Sequence, residues 1–199
     1  MKLVLASKNE HKLRELRNIL GEYGLEVALQ SEYGLDLDVE ETGTTFEENS
    51  FLKAQAVMEA SGMPAIADDS GVMVDALGGE PGVYSARYGG RQTDLDRTMY
   101  LLENMKDVPA EKRTAQFVSV ITCVFPDGRK IVARGECPGT ILFELRGNGG
   151  FGYDPVFYVE QLGKTYAELT DEEKNSVSHR ARALEEFSRK YREGIYDDK

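Results

Sequence analysis

The chain has 199 residues, 41% of them apolar, so it can bury a core of domain size and is not a disordered tail. Its 24 Lys and Arg against 35 Asp and Glu leave a formal net charge of −11. That charge repels the phosphate backbone of a long nucleic acid but not a small anion met by gathered lysines. Two cysteines without C-x-x-C spacing and two distant histidines, His11 and His179, exclude a His/Cys zinc centre, and the cysteines read as reduced thiols in strands.

Residues 2–6, KLVLA, read as a buried strand. No apolar run is long enough for a signal peptide or a membrane span, which predicts a cytoplasmic protein with no membrane partner. Leu13, Leu16, Leu20 and Tyr23 recur at helical spacing and predict a helix ended by Gly21 and Gly24, with a second strand over 25–30. In DLDVEETGTTFEEN, Thr44 or Thr45 precedes Glu47 or Glu48 by three residues, a capping box that opens a helix running to Gly62. PAIADDSGVMVDAL predicts two short strands around a polar kink at Asp68–Gly71. GGEPGVYSARYGG carries too many glycines for regular structure and reads as a loop. A helix over 94–105 shows Leu95, Met99, Leu102 and Met105 on its apolar side. Strands over 114–126 and 129–137 flank a PDG hairpin turn, and a further strand is expected over 139–145. RGNGGFGYDPVFY is a glycine-rich loop entering a strand. Thr170 with Glu173 repeats the capping box and opens a C-terminal helical region whose stripe is Val177, Ala181, Leu184 and Tyr191. Helices and strands interleave around a central hairpin, which predicts an α/β fold with a mixed sheet in a single domain over 1–199, without linker or repeat.

Several clusters carry chemistry, each beside a plainer reading. Ser7, Lys8, Asn9 and Lys12 bring a hydroxyl, an amide and two ammonium groups to the point where a strand hands over to a helix. Helix N-termini favour phosphate, yet Ser and Asn are also ordinary caps. Asp68 and Asp69 alternate faces on a strand, so they do not form a shared-proton dyad. One such carboxylate near a triphosphate can hold magnesium or take a proton from water, or both can cap a turn before Gly71. Glu40 and Glu41 offer a second oxygen ligand or a solvated acidic face. In GGFGYDP, glycines allow close backbone approach to a ligand, Phe151 can stack on a base, and Asp154 or backbone groups can read its edge. A turn with Phe151 and Tyr153 in the core fits the same residues. Lys174, Ser178, His179 and Arg180 lie within seven residues, the first two one helical turn apart, as donors to a base or phosphate or as a solvated face. Carboxylate oxygens as the available ligands point any metal to magnesium or manganese.

Taken in order, ASKNEHK, FEENSFLKA, ADDSGVMVDALGGEPGVYSARY, GGFGYDPVF and EKNSVSHRARAL closely resemble the inosine triphosphate pyrophosphatase family, from residue 3 to residue 187. The resemblance implies an elongated two-lobed α/β fold with a long mixed β-sheet flanked by helices, the site in the cleft between lobes, and a homodimer. It implies Mg2+-dependent hydrolysis of ITP, dITP and XTP to the monophosphate and pyrophosphate, with Mn2+ as a substitute, which clears deaminated purines from the nucleotide pool. Carried over residue by residue, Ser7, Lys8, Asn9, Glu10, His11 and Lys12 look like the triphosphate-binding segment, and Lys53 like a further phosphate-side lysine. Asp69 looks like the carboxylate that activates water and contacts the metal, with Ser70 beside the substrate and Glu40 or Glu41 as the second metal ligand. Phe151, Gly152, Tyr153 and Asp154 look like the base pocket, completed by Lys174, His179 and Arg180. Ser7 stands where many relatives have threonine, and both supply a hydroxyl. Water then attacks in line at the α or the β phosphorus, the α being favoured. The 6-carbonyl of hypoxanthine accepts hydrogen bonds where the adenine amino group sets donor against donor. A pyrophosphatase for another modified nucleotide and a non-catalytic nucleotide sensor are the rival readings; the acidic residues at 38–41 and 68–69 favour an enzyme.

Overall fold

In the computed structural model, which describes residues 1–197, β1 (Lys2–Leu5) pairs in parallel with both β2 (Glu26–Leu29) and the start of β3 (Ala65–Val74). Parallel neighbours need crossovers, and here helices supply them: α1 (Glu10–Gly21) links β1 to β2, and α2 (Phe46–Ser61) precedes β3. Then follow α3 (Asp94–Asn104), β4 (Thr114–Val124), β5 (Lys130–Ile141), β6 (Phe157–Val159), β7 (Lys164–Thr165), α4 (Asp171–Val177) and α5 (His179–Glu193). Hydrogen-bonded neighbours in the seven-stranded sheet run β2-β1-β3-β4-β5-β6-β7, with β5–β6 and β6–β7 antiparallel, so the sheet is mixed and the fold α/β, as expected. No helix among the described residues is long and apolar enough to cross a membrane.

The chain forms two compact units. The first comprises Met1–Asp69, Ser119–Gly135 and the segment that starts at His179; the second comprises Ser70–Val118 and Glu136–Ser178. In the first unit, strand alternation sorts side chains onto two faces. Leu3, Leu5, Ile66, Ile121 and Cys123 pack with Leu13, Leu16 and Leu20 of α1 and with Leu184 and Phe187 of α5. Val4, Ala6, Ala65 and Ala67 pack on the opposite face with Ala54 and Val57 of α2. The second unit has its own core, in which Val72, Val74, Phe117, Cys137 and Phe157 meet Leu101 of α3 and Met105 at its C-cap. At its centre the Phe117, Phe157 and Tyr166 rings stand 4.6, 4.9 and 5.3 Å apart, in edge-on and stacked arrangements that aromatic quadrupoles favour.

Local physics explains where the elements differ from expectation. The polar step at Asp68–Gly71 does not divide two strands: β3 is continuous, because both carboxylates find protein partners in place of water. The strand expected over 139–145 merges with its predecessor, since β5 runs through Pro138 and Gly139 to Ile141. Pro138 stands on an exposed position, and a Cβ on Gly139 would strike the Tyr158 carbonyl and the Phe157 ring, so glycine there lets β6 approach. Gly82–Gly90 is a run of 3₁₀ turns with a kink at Arg87–Gly89, not an irregular loop; Ser85 Oγ donates to Gly82 O (2.7 Å) and accepts from Val72 N–H (3.1 Å). Helix α3 buries Thr98 and Leu101, with Met105 buried at its C-cap, and leaves Leu95 and Met99 exposed. The C-terminal helical region is two helices: the turn that holds Lys174 ends at Ser178, whose backbone is extended (φ −70°, ψ 151°). The PDG hairpin forms as expected, with Gly128 N–H donating to Phe125 O and Phe125 N–H to Arg129 O, both at 2.9 Å.

Candidate active site

In the first unit β1 ends at Leu5 and Ser7–Asn9 turn the chain into α1, while β3 runs on to Asp68 and Asp69. The carboxyl ends of parallel strands beside helix N-termini are where open α/β sheets collect ligands. Asn9 is the N-cap: its Oδ1 accepts from His11 and Lys12 N–H (2.9 and 3.2 Å), and Ser7 Oγ accepts Asn9 N–H at 3.1 Å. The cap fixes the first turn of α1 and so the direction in which Lys12 leaves it.

Asp68 shares the parity of Ile66 on β3 and therefore faces α1 and α5. There its Oδ2 takes Lys12 Nζ at 2.9 Å and Arg180 Nε and Nη2 at 3.1 and 3.0 Å, and its Oδ1 takes the Ser119 hydroxyl of β4 at 2.6 Å. Arg180 also pairs with Glu15 of α1. A Cβ at Gly135 would collide with the backbone of α5 at His179 and Ala183, so that glycine lets the first turn of α5 lie against β5 and bring Arg180 into place. Burial would push the Asp68 carboxyl up, but Arg180 and Lys12 overcome it and hold the group well below the usual carboxylate range. Burial pushes the Lys12 ammonium down; Asp68 opposes this, and Lys53 and Arg180 add to it.

Asp69 has the opposite parity, with Ala67, and faces α2. Lys53 of α2 places Nζ 2.9 Å from Asp69 Oδ1 and 2.6 Å from Glu41 Oε1, bridging two carboxylates. Both lysines also reach the Asp68 carbonyl, Lys12 at 3.1 Å and Lys53 at 3.3 Å, so ammonium groups from α1 and α2 converge on one backbone oxygen. Burial lifts the Asp69 carboxyl above its usual range; Lys53 counteracts this and Glu41 reinforces it. Against burial, Asp69 and Glu41 raise the Lys53 ammonium. Asp69 Oδ2 is buried and has no hydrogen-bond partner among the described residues. A buried carboxylate oxygen is costly when left unmet, and this one, with Glu41 beside it, forms a hard oxygen donor pair suited to magnesium or manganese. Among the described residues no three His, Cys, Asp or Glu side chains group into a metal cage. A pair suffices for magnesium, which keeps waters and phosphate oxygens as its other ligands.

Of the residues expected around the base, the second unit holds Phe151, Gly152, Tyr153, Asp154 and Lys174. Asp154 Oδ2 accepts Lys174 Nζ at 2.9 Å and Phe151 N–H at 3.0 Å. The same ammonium lies 5.1 Å from the Phe151 ring centroid and 5.3 Å from that of Tyr166, within cation–π range. Tyr153 is buried and donates its hydroxyl to Ser85 O at 2.7 Å. Burial pushes that phenol up.

Lys8 lies on the surface, paired with Asp36 at 2.7 Å, and Glu10 and His11 are exposed in the first turn of α1. Glu40 is exposed, whereas Glu41 is the member of its pair that meets Lys53. Ser70 is half-buried and begins the second unit; Gly152 is half-buried in the same unit. His179 and Arg180 are buried in the first unit, with Arg180 engaged by carboxylates. The sequence offered Asp68 only as an alternative to Asp69, and Glu15 and Ser119 were missed as members of the network. Ser119 carried a signal, one of two hydroxyls inside the apolar run FVSVITCV, while Glu15 looked like any exposed helix residue.

Residues 3–190 match the Ham1 family. Two relatives, each named dITP/XTP pyrophosphatase, come from Thermus thermophilus and Symbiobacterium thermophilum. The first is 50% identical over 98% of this chain and 93% of its own length. The second is 53% identical over 92% of this chain and 91% of its own. Among solved structures, a HAM1 protein from Coxiella burnetii superposes with a TM-score of 0.88 at 40% identity, covering 97% of this chain and 99% of that one.

Proposed function

The chain belongs to the Ham1 family, and we propose that it hydrolyses dITP, ITP and XTP to the monophosphate and pyrophosphate. The observation that carries the reading is the pairing of a buried, unmet Asp69 oxygen with two lysines that converge on the Asp68 carbonyl. Such a group both attracts a polyanion and retains a base beside it.

Lys12 and Lys53 draw the polyphosphate and oppose the charge that grows on its oxygens as the bond breaks. Asp69 takes the proton of the water that attacks in line at the α phosphorus. Its carboxyl, lifted by burial, binds that proton more readily than an ordinary aspartate would. Lys53 holds Asp69 and Glu41 together against their mutual repulsion. Asp69 and Glu41 would hold magnesium, which when bound supplies further neutralisation of phosphoryl charge. In the second unit Asp154 holds Lys174 in place, so that its ammonium donates to the 6-carbonyl of a deaminated purine. The adenine amino group would meet that donor with another donor, and a site left with unpaired buried groups rejects the wrong base strongly.

The test is pyrophosphate release from a panel of nucleoside triphosphates with and without magnesium. The expected result is magnesium-dependent release from dITP, ITP and XTP, with kcat/KM above that for ATP by a factor on the order of 10² or more. Equal turnover of ATP, or release of orthophosphate instead of pyrophosphate, overturns the proposal.

A further inference from the structure

Helix α3 carries Asp94 and Thr98 one turn apart, hence on one face, and both act on a single residue of the loop that precedes β6. Gly152 N–H donates to Asp94 Oδ2 at 2.8 Å, and Thr98 Oγ1 donates to Gly152 O at 3.2 Å. We propose that Thr98 and Asp94 are positioning residues that set base selectivity by fixing the peptide groups on either side of Gly152. The inference rests on the base-reading role given above to Phe151, Asp154 and Lys174.

Gly152 needs an external hold. It sits in the left-handed region (φ +60°), as Gly150 does (φ +71°), and a Cβ on Gly152 would touch nothing within 4 Å. Glycines in such a loop visit many backbone states at little cost. The grip from α3 removes that freedom by engaging both the donor and the acceptor of one residue. Thr98 is buried, so its hydroxyl has no water to turn to if the Gly152 carbonyl moves away. Asp94 is itself braced: it pairs with Arg97, whose Nη1 donates to Arg91 O at 3.0 Å and Gln92 O at 3.2 Å. The flanking residues are tied in turn, Phe151 N–H to Asp154 and the Tyr153 hydroxyl to Ser85 O. A pocket that separates a carbonyl from an amine by alignment of a few donors works only while its groups stay within about 0.5 Å of the productive geometry. A rigid helix face delivers that constraint where the loop's own sequence cannot.

The test uses the full chain with Thr98→Val, which removes the hydroxyl at nearly constant volume, and Thr98→Ser, which restores it. Steady-state kinetics with ITP and ATP are read beside hydrogen exchange over 150–154. In the valine variant KM for ITP is expected to rise about fivefold, the worth of one neutral hydrogen bond, with kcat within about twofold. The ITP-to-ATP ratio of kcat/KM falls by the same factor, exchange over the loop accelerates, and the melting temperature falls by no more than about 4 °C; serine restores all of these. An unchanged ratio in the valine variant overturns the inference, as does a defect that serine fails to rescue or one seen only in kcat. Wild-type protein that does not turn over ITP instead sinks the function proposed above, and the inference with it, so the wild-type measurement separates the two failures.

Discussion

Replacing Asp68 with Asn removes one buried charge and strands two others. Arg180 and Lys12 both lean on its Oδ2, at 3.0 and 2.9 Å, and the Asp68 and Arg180 side chains are only 0% and 2% exposed, so water cannot take over. Breaking a buried pair from one side costs about 3–5 kcal/mol. In a chain of this length each kcal/mol moves the melting temperature by about 2–4 °C, which gives a fall of about 6–20 °C. Arg180 keeps Glu15 and Lys12 keeps the Asp68 carbonyl, which places the expectation towards the lower end. Asp69→Asn, one residue on, is expected to do the reverse. Because burial lifts the Asp69 carboxyl in the fold, its ionisation costs stability as pH rises from the ordinary aspartate range through the folded value. At neutral pH the amide is therefore neutral or mildly stabilising. Asp68, held far below its ordinary range, contributes stability that is fully present above that range and is lost only as pH falls through the depressed value. Thermal and urea unfolding at pH 7 and pH 4, beside pyrophosphate release from ITP, separate the two variants. Asp69→Asn should melt like the wild type while losing activity by about 10²–10⁴, the usual share of a general base. The reasoning fails if Asp68→Asn unfolds within about 1 kcal/mol of the wild type, given the about 3–5 kcal/mol expected, or if Asp69→Asn is equally destabilised.

Glu41→Gln should raise the magnesium concentration needed for half-maximal activity about tenfold or more, whereas Glu40→Gln should leave it unchanged; Mn2+ binding by calorimetry reports the same difference without turnover. If Glu40→Gln is the impaired variant, the loop has been read in the wrong order. Lys12→Ala removes a charge-assisted contact to phosphate and should raise KM for ITP about tenfold or more with a smaller effect on kcat; an unaltered KM removes Lys12 from the phosphate side. Burial pushes the Cys123 thiol far up, so in the native protein it should resist alkylation at pH 8 and react only on unfolding, as mass spectrometry of quenched samples would show. Rapid modification under native conditions would mean that the strand opens.

The alternation of Asp68 and Asp69 could be read from the sequence, but their division of labour could not. Assigning faces requires knowing that Ile66 belongs with α1 and α5 and Ala67 with α2, and both residues are simply apolar in the string. Once that parity is set, the rest follows: the even position meets Lys12 and Arg180 and becomes part of the scaffold, and the odd position meets Lys53 and Glu41 and keeps an oxygen unmet. The same limit explains why Glu40 and Glu41 were indistinguishable: nothing within the loop marks either, and the choice is made by Lys53, twelve residues beyond Glu41. The break expected at Asp68–Gly71 failed for a related reason. Two adjacent carboxylates predict exposure, and exposure predicts a turn, unless distant cations supply what water would have given. Where local pattern and local chemistry agree, as at Asn9, Thr45, the PDG turn and Thr170, the elements fell where the sequence put them. Where a polar residue stays inside a strand against its own preference, tertiary partners must be holding it there, and in this chain those partners include Lys12 and Lys53, the lysines proposed to hold triphosphate. The expected interruption of the strand was thus itself a marker of the site: a violation of local preference at which buried charge had to be matched from elsewhere in the chain.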